Sequence, residues 1–95
     1  KNTDDIINCL HLLKKSIWKR RLKIKDFSDL YTILRYNDYD EDELYTKLKE
    51  HHLRKLLSRL EYILVEMTGI EEGFLPLSPK NDCVTRYIKN MTKNN

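Results

Sequence analysis

The sequence predicts an all-α domain, a compact bundle of about five short helices. Three observations predict it. Apolar residues recur at three- and four-residue spacing along most of the chain. Helix-start and helix-stop residues punctuate that pattern at intervals suited to short helices. There are only two glycines and two prolines in 95 residues, none of them before Gly69, whereas a β-sandwich or barrel needs turn signals about every 8–12 residues.

The elements follow in order. Thr3 with Asp4 and Asp5 makes a helix start, negative charge lying at the positive end of the helix dipole. Ile6, Leu10, Leu13 and Ile17 carry that helix to about Arg21. Leu22 to Lys25 reads as a connector and Asp26 as the cap of a second helix, whose inner stripe is Phe27, Leu30, Tyr31 and Leu34. Asn37 and Asp38 break it. Asp40 and Glu43 have capping-box spacing, so a third helix starts there, with Leu44 and Leu48 inward.

A longer stripe follows: Leu53, Leu56, Leu57, Leu60, Leu64 and Met67. At about 100° per residue, Leu44 and Leu48 point nearly opposite to it. One straight helix would have to bury both sides, so the reading places a break at Lys49-Glu50-His51-His52. Gly69 closes the fourth helix as a C-terminal cap. Residues 70–78 form a loop whose Phe74, Leu75 and Leu77 should pack down. Ser78-Pro79 signals a fifth helix, with Val84, Tyr87, Ile88 and Met91 inward and a fraying end.

Composition bounds the function. Hydrophobic residues are 40% and charged residues 35% of the chain, which suits one small domain with solvated outer faces and no deep catalytic cavity. No run approaches the ~20 apolar residues of a membrane span, and no signal peptide precedes the first helix. The chain opens with Lys1, so it reads as a single interaction domain, residues 1–95, cut from a longer protein. Cys9 and Cys83 both fall at apolar helical positions and read as free buried thiols of a reducing compartment.

The motifs of chemistry fail one by one. Asp38, Asp40 and Asp42 match the first ligands of a calcium loop, but Glu43 stands where that loop needs glycine and Lys49 where it needs glutamate. His11, His51 and His52 lack zinc spacing. Nucleophile elbows, phosphate loops and zincin motifs are absent. The expectation is a protein that is no enzyme and holds neither metal nor cofactor.

The basic segment says more. Lys14, Lys15, Lys19, Arg20, Arg21, Lys23 and Lys25 run without an acidic residue among them, and Trp18 lies in their midst. Such a segment can contact phosphates while the aromatic stacks on a base, or it can be a solvated face with Trp18 half-buried. The formal net charge is only +3, so the dipolar charge pattern suits an acidic peptide equally well.

The segments Leu13-Lys14-Lys15-Ser16-Ile17 and Leu22-Lys23-Ile24-Lys25-Asp26 resemble the integrase-binding domain family. That family is a relative of the N-terminal helical domain of transcription elongation factor S-II and occurs in chromatin readers with a PWWP module. The resemblance covers roughly residues 10–67. It implies a non-catalytic nuclear bundle that captures short acidic and aromatic motifs of transcription and chromatin proteins at a tip between two interhelical loops. It matches Ile24 and Asp26 to one loop and Leu53 to the other; the adjoining Phe27 and His52 complete the expected partner-binding set. Lys25 between Ile24 and Asp26, and His51-His52 in the second loop, depart from the family pattern. The expected function is therefore protein-motif capture, with nucleic-acid binding through residues 14–25 as the alternative.

Overall fold

The computed structural model describes residues 2–36 and 38–92. Five α-helices form the bundle: α1 (Asn2–Trp18), α2 (Ile24–Tyr36), α3 (Glu41–Glu50), α4 (Arg54–Thr68) and α5 (Cys83–Met91). A 3-10 turn at Glu72–Phe74 interrupts the loop between α4 and α5. No strand occurs among the described residues. Asn37 and residues 93–95 lie outside them, and with them part of the expected α2 break and the expected frayed end.

One core unites the elements. Ile6, Leu10 and Leu13 of α1 meet Phe27, Leu30 and Leu34 of α2, Leu44 and Leu48 of α3, and Leu57, Leu60, Ile63 and Leu64 of α4. Leu22, Leu53, Ile70 and Ile88 complete it from the connections and from α5. α1 and α3 run side by side in the same direction: Asp4 pairs with Lys47 at 2.9 Å and His11 meets His51 at 3.2 Å. α4 and α5 are likewise parallel, through Arg59 to Asp82 and Glu66 to Lys89.

The break between α3 and α4 is where the opposed faces require it. His52 adopts a left-handed conformation, φ 58°. Its N–H donates to the Lys49 carbonyl at 3.2 Å, and the Leu53 N–H donates to the Leu48 carbonyl at 2.9 Å. These paired bonds satisfy carbonyls that the helix end would leave orphaned, and the buried side chains of Leu48 and Leu53 accompany them, as this type of cap prefers. α1 ends in the same way. Arg20 is left-handed, φ 55°, with Arg20 N–H on the Ile17 carbonyl at 3.1 Å and Arg21 N–H on the Ser16 carbonyl at 2.8 Å. Gly69, φ 70°, ends α4 as expected.

Three boundaries and faces differ from the sequence reading. First, α1 stops at Trp18, three residues early, and α2 starts at Ile24. Asp26 is therefore not a cap but lies inside the first turn, where its Oδ2 accepts from the Lys23 N–H at 2.9 Å. Leu22, read as connector, is fully buried.

Second, α5 begins at Cys83, not at Ser78-Pro79. Asp82 is its cap, accepting from the Thr85 N–H at 2.9 Å while its other oxygen meets Arg59 at 3.1 Å. The Lys80 N–H is spent on the Ser58 carbonyl at 3.0 Å, which ties the segment before α5 to α4 instead of opening a helix. With that start the inward residues of α5 are Thr85 and Ile88, and Val84 and Tyr87 turn outward. Cys83 is consequently exposed rather than buried. Cys9 is half-buried, and burial, with Asp29 and Asp26 nearby, pushes its thiol up to about 11.

Third, the inner stripe of α4 is wider than its leucines. Ile63 and Glu61 are buried with them, while Met67 is exposed. Glu61 Oε2 accepts from the Leu77 N–H at 3.2 Å, and Oε1 is the one buried side-chain polar atom without a partner among the described residues. Burial raises this carboxyl from 4.5 to about 8, so it is predominantly protonated at neutral pH. Tyr39, whose hydroxyl donates to the Phe74 carbonyl at 3.5 Å, is raised as well, first by burial and then by Glu41 and Glu61.

Candidate functional site

The two helix-ending turns, at Arg20 and at His52, present the residues that the sequence singled out. At the first turn, Ile24 is 39% exposed and opens α2. Asp26 is half-buried with one oxygen committed to its own helix. Phe27 is fully buried and has no surface for a partner. At the second turn His52 is exposed, whereas Leu53 is fully buried beneath it. Phe27 and Leu53 are thus core residues rather than contact residues: Phe27 belongs to the inner stripe of its helix, and Leu53 supplies the apolar contact of the α3 cap.

His52 borders a cleft of about 760 Å³ that lies between the α3–α4 turn and the segment before α5. Lys49, Arg54, Lys55 and Lys80 line it, with Tyr45 and Leu77 as its apolar walls, and no carboxylate is among its lining residues. Arg54 is fixed in place by a hydrogen bond to the Tyr45 hydroxyl at 3.0 Å and by its guanidinium lying 4.9 Å from that ring's centroid. Lys80 shares the outer edge of Asp82 at 3.9 Å. Among the described residues no carboxylate pairs with Lys49, Arg54 or Lys55. Cations left unpaired around a concave surface create a local positive potential that favours an anionic ligand.

Sequence reasoning missed this cleft because its cations come from three separate elements. The available signal was the run from Lys49 to Lys55, whose only acidic member is Glu50.

The basic segment lies elsewhere. Lys14, Lys15, Lys19, Arg20, Arg21, Lys23 and Lys25 are all exposed. Trp18 is 79% exposed, not half-buried. As the last residue of α1 it lies about 100° round the helix from Ile17, off the stripe of Ile6, Leu10 and Leu13 that faces the core.

The histidines gather in part. His11 Nε2 and His51 Nδ1 lie 3.2 Å apart with their rings edge to face. No group of three or more His, Cys, Asp or Glu side chains that could hold a metal occurs among the described residues. Nor is any helix among them long and apolar enough to cross a membrane.

The fold and the cleft thus define a small helical bundle with a cation-lined groove beside an interhelical turn. No protein family, no curated protein and no solved structure matches the chain.

Proposed function

We propose that this domain is a non-catalytic interaction module that captures short acidic linear motifs of other proteins in the cleft beside the α3–α4 turn. The observation that carries the reading is the lining itself: Lys49, Arg54, Lys55 and Lys80 with no carboxylate among them. An extended acidic segment matches that charge, and a single apolar side chain in it can rest on Tyr45 and Leu77. A few anchors in a groove between elements are how a domain too small for a deep pocket binds a peptide. His52 keeps its place at the second interhelical turn. The resemblance of residues 10–67 to integrase-binding domains adds the class of partner, namely disordered segments of transcription and chromatin proteins met in the nucleus.

The test is binding of a labelled peptide with a run of Asp and Glu around one Phe, followed by fluorescence anisotropy. A control peptide carries Asn and Gln in place of the acids. The acidic peptide should bind and the control should not. The double variant K49E/K55E should weaken binding at least about ten-fold, since opposed charges become like charges across a contact. Equal binding of the acidic and neutral peptides, or full binding by K49E/K55E, would remove the basis of the proposal.

A further inference from the structure

The end of α1 carries a feature that the cleft does not use. Trp18 is the only tryptophan of the chain and is 79% exposed. Two residues on, Arg20 closes the helix in its left-handed turn and sets its guanidinium 5.8 Å from the centroid of Tyr87. Tyr87 projects from the outer face of α5 and is 48% exposed. The structure thus brings the solvated Tyr87 ring to the guanidinium that stands two residues after the exposed Trp18, from elements almost seventy residues apart in the sequence.

Around them basic residues cluster, and the carboxylate of the same turn, Asp26, has its Oδ2 taken by the Lys23 N–H. Lys14 and Lys15 stand four and three residues before Trp18, hence on its face of α1. Lys19, Arg21, Lys23 and Lys25 continue through the turn into α2, all exposed. The turn is held by the Arg20 and Arg21 amides on the Ile17 and Ser16 carbonyls, so the guanidinium is presented from a hydrogen-bonded backbone.

We propose that this surface is a second binding site, specific for single-stranded nucleic acid. A ligand suited to it must be a polyanion that also offers planar π faces. Phosphates answer the lysines and arginines. Bases answer the rings, because base–aromatic stacking tolerates any sequence and arginine adds a cation–π contribution. A duplex supplies the phosphates but keeps its base faces stacked on one another, so Trp18 and Tyr87 would gain little from it. The site is independent of the acidic-motif cleft, whose lining shares no residue with it.

The single tryptophan makes the test direct. Titration with an oligo-uridine or oligo-thymidine single strand should quench Trp18 fluorescence to saturation. A duplex of the same length should bind at least ten-fold more weakly. By anisotropy of a labelled strand, W18A and Y87A should each lose about ten-fold in affinity, the scale of one stacked base, with their melting temperatures unchanged because both rings are exposed. W18F should retain most of the binding. Affinity should fall steeply with salt, and K49E/K55E should bind the strand as the parent does, which separates this site from the cleft. Equal affinity for duplex and single strand would overturn the proposal. So would a fluorescence change with anionic phospholipid vesicles but none with either oligonucleotide, or wild-type affinity in both W18A and Y87A.

Discussion

Substituting Glu61 with Gln should make the domain more stable at neutral and alkaline pH and leave it nearly unchanged in mild acid. Glu61 is fully buried, accepts one backbone hydrogen bond from Leu77, and is raised by burial from 4.5 to about 8. A group whose pKa is higher folded than unfolded contributes fully below the unfolded value, and its contribution is lost as pH rises toward the folded value. The window for Glu61 therefore runs from about pH 4.5 to about pH 8. At about 1.4 kcal/mol per pH unit, the fall across the window is on the order of 4–5 kcal/mol, and on the order of 3 kcal/mol of it has occurred by pH 7.

Glutamine keeps the acceptor for the Leu77 N–H and cannot ionise. Its amide, like the protonated acid, leaves one polar group unmatched, so the two proteins should coincide near pH 4.5. Urea unfolding across the pH range measures the difference. Far-UV circular dichroism is the appropriate probe, since Trp18 is too exposed to report on core packing. At neutral pH the variant should melt roughly 10–20 °C higher. Parallel stability curves for the two proteins from pH 5 to 8 would show that the buried carboxyl is not the source of the slope.

Other perturbations follow from the same geometry. Replacing Arg20 or His52 by Gly should raise stability by up to about 1 kcal/mol, because each occupies a left-handed position that glycine adopts without penalty; thermal melts that drop instead would contradict the cap assignment. Leu53→Ala should cost about 2–5 kcal/mol in urea titrations as a core truncation, whereas Ile24→Ala, at a partly exposed position, should cost far less. Asp82→Ala removes the α5 cap and the Arg59 pair and should lower the melting temperature at pH 7. The backbone bond from Thr85, together with the Arg59 and Thr85 side chains, holds the Asp82 carboxyl down at about 2. Its contribution is therefore present above about pH 4 and lost as pH falls toward 2, so the variant's disadvantage should vanish in strong acid in a pH series of melts.

The sequence by itself determined the helices and most of their ends. The Asp40 cap, the Gly69 stop and the break before Leu53 could be read because each is written within a turn or two of chain: a side-chain oxygen at the right offset, a glycine, or two leucine pairs facing opposite ways. The left-handed stops at Arg20 and His52 were hidden because neither residue is glycine, and only the break at His52 had face arithmetic to reveal it. Glu61 left a faint trace, standing four residues after Leu57 and three before Leu64 on the buried face, yet its charge argued for solvent. The tertiary structure alone decided the rest. It moved the start of α5 to Cys83 by giving Asp82 an arginine from α4, and it buried Phe27 and Leu53 beneath the turns they were expected to furnish. It also assembled Lys49, Arg54, Lys55 and Lys80 around one cleft, and set Arg20 against Tyr87. Helix signals are satisfied by backbone groups a few residues away and so are local. Burial, ionisation and the gathering of distant charges depend on which elements come to lie opposite one another, and no short stretch of sequence encodes that.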